Sequence, residues 1–65
     1  MRWEAVNAMT FESATHRVRR LGNYWLAERK ETNGDKPVKI GNSFDLQADA
    51  TAACEADAYR IASGR

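Results

Sequence analysis

The chain has 65 residues and a formal net charge of +1 at pH 7, with ten Lys and Arg against nine Asp and Glu. A chain of this size buries only about 60% of the surface that its unfolded form exposes, which leaves room for one domain. Its single cysteine excludes an internal disulfide, and no Cys/His cluster has the spacing of a zinc site. We therefore predict one small α+β domain over residues 1–65, either a monomer or a homodimer.

Residues 1–12 carry mixed signals. Trp3 and Val6 are three residues apart, as on a helix, whereas Trp3 with Ala5, and Met9 with Phe11, alternate as in strands. Because the strands that follow need a wider sheet, we predict an N-terminal arm or short strand around residues 3–6.

Residues 13–42 predict an antiparallel β-meander. Gly22-Asn23 separates two alternating runs, which predicts a hairpin with strands at Ser13–Arg20 and Tyr24–Arg29. A polar turn at Asn33-Gly34 follows. A short third strand is then predicted from Val38 to Ile40, ended by residues 41–43.

The register of the hairpin stays open from sequence. A three-residue loop would pair Val18 with Leu26 and place Trp25 outside, beside two arginines. A two-residue loop would pair Arg20 with Trp25 and place Trp25 on the side of Val18. The choice matters because a slip of one residue moves every side chain to the other face of the sheet.

A C-terminal helix is predicted over residues 45–62, which are rich in alanine and lack proline and glycine. We expect it to pack across one face of a three- to four-stranded sheet. At 100° per residue, one side of the helix collects Leu46, Ala50, Ala53, Cys54, Asp57 and Ile61. Tyr59 falls nearly opposite. An acidic residue in this stripe needs a cation, so we predict that Asp57 forms a structural ion pair with Arg60, His16, Arg17 or Arg20.

Charge is distributed unevenly along the chain. Residues 14–42 carry seven basic and three acidic side chains, a net +4, whereas residues 43–65 carry two basic and four acidic ones, a net −2. Cations beside an aromatic ring can bind nucleic acid, and the candidate binding surface comprises Arg17, Arg19, Arg20, Trp25, Arg29 and Lys39. The competing interpretation is that these cations only solvate an exposed sheet.

Catalytic signals are weak. Cys54 and His16 would make a thiol and its base, but a cysteine among alanines on a helix is more typical of a small buried hydrophobe. The chain has no phosphate-binding, dinucleotide or zinc-protease motif. We therefore predict a non-enzymatic protein without a metal or a cofactor.

Hydropathy predicts no membrane contact. No apolar run approaches the roughly 20 residues of a membrane span, and the N-terminal residues lack the apolar stretch of a signal peptide. A cytoplasmic protein of bacterial or viral origin is the expectation.

Three stretches, "FESATHRVRRLGNYWLAER", "KIGNSFD" and "AACEAD", together resemble a family of small bacteriophage- and prophage-encoded proteins without an established activity. In that family a hairpin with Arg-Val and Trp, here Arg17, Val18 and Trp25, precedes Phe-Asp and an alanine-rich helix. Phe44 and Asp45 match the Phe-Asp that precedes the helix in that family. The positions that match its alanine-rich helix are Ala50, Ala52, Ala53, Cys54, Glu55 and Ala56.

The chain departs from the family at two positions. His16 stands where a tyrosine is common, and Leu46 stands where a threonine would cap the helix, which leaves Asp45 or Ser43 to cap it. The resemblance implies a fold and a phage setting rather than a reaction. Small phage proteins without a catalytic set often act by binding one protein, so we expect a host or phage protein as partner, with nucleic-acid binding as the alternative.

Overall fold

The computed structural model describes residues 1–30 and 36–64, and it contains one antiparallel sheet and one helix. The strands run in sequence order across the sheet; they are β1 (Glu4–Asn7), β2 (Thr10–Glu12), β3 (His16–Leu21), β4 (Tyr24–Arg29) and β5 (Val38–Phe44), and they are followed by α1 (Gln47–Ser63). The α+β class with a C-terminal helix is confirmed. The expected count of three to four strands is wrong, because residues 1–12 form two strands.

The first two strands form a ribbon that the sequence pattern only half predicted. The chain reverses at Ala8-Met9, where the Met9 N–H donates to the Asn7 side-chain oxygen at 2.8 Å. Asparagine side chains support turns in this way without glycine or proline. Neither glycine nor proline marks this turn in the sequence, which is why the second strand escaped prediction.

The central hairpin has the two-residue loop. Arg20 pairs with Trp25 and Val18 with Ala27, so Trp25 lies on the same face as Val18. Gly22 has a φ of +66°, and Asn23 does not have a positive φ. This matches a type II′ turn, which requires glycine at its first central position and suits the twist of paired strands.

The fifth strand is longer than predicted and contains an irregularity. Leu26 pairs with Ser43 and Ala27 with Ile40, so residues 41–42 are displaced from the ladder. Gly41 adopts a φ of +67°, and this conformation lets the strand resume instead of ending there. The turn predicted at Asn33-Gly34 lies outside the described residues.

The helix starts two residues later than predicted and ends one residue later. Leu46 occupies the N-cap position without a side-chain capping hydrogen bond, so the expected cap by Asp45 or Ser43 is wrong. At the other end, the Gly64 N–H donates to the Arg60 carbonyl at 2.6 Å. Packing against the sheet, rather than capping, therefore stabilises this helix.

The core is small and lies between α1 and strands β3 to β5. Its buried members are Val18, Ala27, Ala50 and Cys54, and its partly buried neighbours are Trp3, Trp25, Ile40 and Phe44. Small side chains on the helix let its backbone approach the sheet. The predicted stripe holds in the middle of α1 but fails at its ends, since Leu46 and Ile61 are 61% and 52% exposed.

Candidate functional site

Asp57 joins the helix to the sheet. It is 4% exposed, and His16 Nε2 donates to its Oδ2 at 2.9 Å. Arg29 Nη1 donates to both carboxylate oxygens at 3.1 and 3.0 Å. Arg60, which lies one helical turn further on, donates to Oδ1. One carboxylate thus connects β3, β4 and α1.

Burial raises the pKa of Asp57, but the hydrogen bonds from His16, Arg29 and Arg60 outweigh it, so the pKa lies below its ordinary value. The carboxylate is therefore ionised at neutral pH. Because a carboxylate only accepts, His16 Nε2 carries the hydrogen of this bond. Among residues 1–30 and 36–64, every buried side-chain nitrogen and oxygen has a hydrogen-bond partner.

His16 is held on both sides of its ring. Thr15 Oγ1 lies 2.7 Å from His16 Nδ1, and in the neutral ring that nitrogen accepts from the hydroxyl. The turn before β3 fixes the backbone, because the Ser13 N–H donates to the His16 carbonyl at 2.9 Å and the Ser13 hydroxyl accepts from the His16 N–H at 3.0 Å. These hydrogen bonds fix the position of the imidazole ring beside Asp57.

The sequence identified two of the three side chains that donate to Asp57. Of its four candidates, His16 and Arg60 contact the carboxylate, whereas Arg17 lies on the opposite face of the sheet. Arg29 was not considered. The signal was present, because the two-residue loop pairs His16 with Arg29 across β3 and β4 and so places both on one face.

Cys54 and His16 do not form a catalytic pair. Cys54 is fully buried, and its Sγ faces the Arg17 carbonyl at 3.9 Å while the His16 ring contacts Thr15 and Asp57. Burial raises the pKa of the Cys54 thiol to about 11, which keeps it protonated and unreactive at neutral pH. This is the behaviour expected of a small hydrophobic residue.

The open face of the sheet, which is opposite α1, carries interleaved charges. Arg17 Nε and Arg19 Nη2 reach the Glu28 carboxylate, each at 3.2 Å. Lys30 Nζ lies 3.1 Å from Glu12 Oε1, and this hydrogen bond is the main reason that the pKa of Glu12 lies below its ordinary value. The charges of Arg17, Arg19 and Lys30 are therefore largely neutralised by neighbouring carboxylates.

The six residues of the predicted binding surface lie on two faces. Strand pairing places Arg17, Arg19 and Lys39 on the open face, and it places Arg20, Trp25 and Arg29 on the helix side. Trp25 packs on Phe11, with ring centroids 6.2 Å apart, and against the core. Its ring is thus not beside Arg17 and Arg19.

One end of the sheet gathers exposed apolar side chains that the sequence placed in the core or left unassigned. We call this surface the hairpin end; it consists of Met9, Leu21, Tyr24 and Leu46, which are 57%, 46%, 39% and 61% exposed. Leu21 and Tyr24 are paired in the hairpin, and the Arg20 N–H donates to the Met9 carbonyl at 2.7 Å. Leu46 follows Phe44, which pairs with Trp25 at this end.

Two grooves accompany these surfaces. A groove of about 390 Å³ at the hairpin end is lined by Asn7, Ala8, Met9, Thr10, Arg19 and Arg20. A second groove, of about 470 Å³, lies at the far end of α1, where Ile61 and Thr15 are among its walls. Within the described ranges, no group of three or more His, Cys, Asp or Glu residues is placed to hold a metal ion.

Comparisons of the chain with protein-family models, with curated protein sequences and with solved structures gave no match. In the part of the chain that the structure describes, α1 is too short and too polar to cross a membrane.

Proposed function

We propose that this protein is a small non-enzymatic binding module of phage or prophage type, which docks a host or phage protein through the hairpin end. The observation that supports this proposal is the apolar exposure at that end. Four large apolar side chains are exposed there, while the core relies on alanine, valine and cysteine. Single exposed apolar residues are ordinary, but four of them at one end of so small a sheet offer apolar surface to a partner.

The chemistry of the hairpin end suits a protein partner. Met9 is a flexible apolar side chain, and Tyr24 combines an apolar ring with a hydroxyl group; both residue types are enriched at protein interfaces. Arg20 borders the groove at this end and is exposed, with its Nε donating to the Gly22 carbonyl at 3.1 Å. The partner surface is therefore expected to be apolar at its centre with an acidic residue at its rim.

The Asp57 cluster supports a structural role, in keeping with the non-enzymatic proposal. Its order of hydroxyl, imidazole and carboxylate, from Thr15 through His16 to Asp57, is also that of a hydrolase triad. In a triad the carboxylate stabilises an imidazolium, but here Arg29 and Arg60 already neutralise Asp57. Its charge fixes the helix on the sheet instead.

Nucleic-acid binding, the alternative, is less well supported. Arg17 and Arg19 are hydrogen-bonded to Glu28, and Trp25 lies on the other face of the sheet. A phosphate would have to displace an intramolecular carboxylate at each arginine. We therefore expect no complex with DNA or RNA at low salt; binding that weakens steeply as salt rises would favour the alternative.

Site-specific photo-crosslinking in bacterial lysate tests the docking proposal. A photo-crosslinking phenylalanine analogue replaces Tyr24 in one sample and Tyr59 in another. Tyr59 is the matched control, because it is 75% exposed on the outer side of α1. We expect one protein to cross-link from position 24 and not from position 59.

A competition experiment with unlabelled chain then distinguishes specific docking from non-specific sticking to the photo-crosslinking chain. Excess unlabelled wild-type chain is expected to suppress the cross-link, whereas the triple variant Met9→Ser, Leu21→Thr and Leu46→Ser is not. Equal suppression by both competitors would contradict docking at the hairpin end. Cross-linking from position 59 alone would move the docking surface to the outer face of the helix.

A further inference from the structure

The two edges of the sheet differ in how they are protected. The strand order leaves β1 and β5 with one neighbour each. Strand β5 contacts α1 and is interrupted at residues 41–42, and such features hinder pairing with another strand. Among the described elements β1 contacts β2 alone, and its own irregularity lies between Ala5 and Asn7, beyond residues 1–5. Every residue of β1 is exposed. The unpaired N–H and C=O groups of β1 therefore make it the open edge.

Charges at the start of this edge alternate in sign. Glu4 pairs with Glu12 and so lies on the open face, and Arg2 lines a groove of about 340 Å³ together with both of them. Trp3 faces the other way, and its Nε1 donates to Glu55 at 3.2 Å. Among the described residues, neither Arg2 nor Glu4 has an ion-pair partner, so both are available to another chain.

This pattern is complementary to itself. Consider two antiparallel copies of an edge strand related by a two-fold axis normal to the sheet. Residues that lie opposite each other must point to the same face, so the axis has to pass beside the same residue in each copy rather than between two residues. An axis beside Trp3 places Arg2 of one copy opposite Glu4 of the other, twice. An axis beside Glu4 would place the two glutamates opposite each other, which is unfavourable.

We propose that two copies of this chain pair through residues 1–5 as antiparallel edge strands, with Arg2 of each copy opposite Glu4 of the other. The result is a closed two-fold dimer with a continuous sheet and both helices on one face. An interface formed by one short strand from each copy belongs to the weak, reversible class. The hairpin end stays exposed in both copies of the dimer. Failure of the dimer proposal would therefore leave the docking proposal intact, and the reverse is also true.

Sedimentation equilibrium over a wide range of protein concentration, at low salt, tests the pairing. The wild-type chain is expected to shift from monomer to dimer as concentration rises. Arg2→Glu or Glu4→Arg alone should weaken the dimer by about tenfold or more, because each places like charges opposite one another. The double variant Arg2→Glu with Glu4→Arg restores the alternation and should restore the dimer.

Arg20→Glu is the control, because it makes the same change of charge on β3, outside the proposed pairing segment of residues 1–5. It should leave the dimer intact. A chain that stays monomeric at every concentration would overturn the proposal. So would single variants that dimerise like the wild type, a double variant that stays dissociated, or a control that dissociates the dimer as strongly as Arg2→Glu. Circular dichroism spectra of all the variants confirm that each is folded.

Discussion

The helix-covered half of the sheet and the hairpin end differ in which side chains they bury and which they expose. In the covered half, small side chains such as Ala50 and Cys54 are fully buried, and a charged residue, Asp57, is buried beside His16 and hydrogen-bonded to it. At the hairpin end, large apolar side chains such as Leu21 and Leu46 remain exposed. The contrast separates the residues that hold the helix on the sheet from the surface that we propose binds a partner.

The difference follows from how α1 lies on the sheet. The helix packs on β3, β4 and β5, and its buried residues, from Ala50 to Asp57, lie in its middle turns. A close approach requires small side chains there and leaves space for a carboxylate between the layers. Beyond that contact, no helix in the described part of the chain covers the apolar residues of the hairpin end.

Loss of the Asp57 carboxylate is the most severe test of the covered half. Asp57→Ala leaves the buried His16 without its hydrogen-bond acceptor and the half-buried Arg29 without its counter-ion, and removing one partner of a buried ion pair typically costs about 3–5 kcal/mol. Urea unfolding should show a loss of this order, a large part of the stability of a small domain.

Asp49→Ala is the matched control, because Asp49 is exposed on the same helix. Its effect should stay within about 0.5 kcal/mol. If Asp57→Ala unfolds at the same urea concentration as Asp49→Ala, the carboxylate does not hold the helix on the sheet.

Acid should weaken the same contact. The pKa of Asp57 is lower in the folded chain than the ordinary value of 3.8, so the folded state binds fewer protons than the unfolded state. The stability contributed by Asp57 is therefore fully present above its unfolded pKa, and it is lost as the pH falls through the folded pKa.

The difference in urea midpoint between wild type and Asp57→Asn isolates this carboxylate from the others. That difference should be constant near neutral pH and should shrink as the pH falls below about 4. A difference that stays constant down to pH 2 would mean that Asp57 titrates alike in both states.

Two glycine substitutions compare a position beside the core with a position in the hairpin turn, and their expected effects on stability are smaller. Gly41 and Gly22 both have a positive φ, but a Cβ at Gly41 would lie 3.1 Å from Phe44 Cζ, whereas a Cβ at Gly22 would meet nothing within 4 Å. The backbone cost alone is about 1–2 kcal/mol for each alanine. Gly41→Ala should cost more than Gly22→Ala in thermal unfolding, because Phe44 borders the core. Equal costs would mean that the ring moves aside freely.

The sequence predicted the elements that have local signals. Alanine content predicted the helix, and Gly22-Asn23 predicted the central hairpin. The hairpin register stayed open because both loop lengths keep an alternating pattern. The structure shows the two-residue loop, with Gly22 at a positive φ and Trp25 packed on Phe11. The turn at Ala8-Met9 was not predicted, because it depends on the Asn7 side chain rather than on glycine or proline.

The site was predicted in part, because His16 and Arg60 were both among the four candidates for Asp57. Arg60 lies three residues after Asp57 and was identified. Arg29 required the strand register, so it was not. The hairpin end could not be predicted, because a helical wheel assigns a face to Leu46 but does not show where the sheet beneath it ends.

Substitutions at the hairpin end should change the free energy of unfolding least. They test most directly whether the residues proposed for binding are separate from those that stabilise the fold. In the triple variant Met9→Ser, Leu21→Thr and Leu46→Ser, three exposed side chains become polar. Threonine suits a strand, and serine at position 46 can cap the helix, which has no side-chain cap. Val18→Thr is the comparison in the covered half, where a buried hydroxyl group should cost about 1–3 kcal/mol.

Urea unfolding of the triple variant is the decisive measurement. If the hairpin end is a surface reserved for binding, the free energy of unfolding will match that of the wild type within about 0.5 kcal/mol, or exceed it through the new cap. A loss as large as that of Val18→Thr would contradict the account, because it would show that the apolar residues of the hairpin end support the fold.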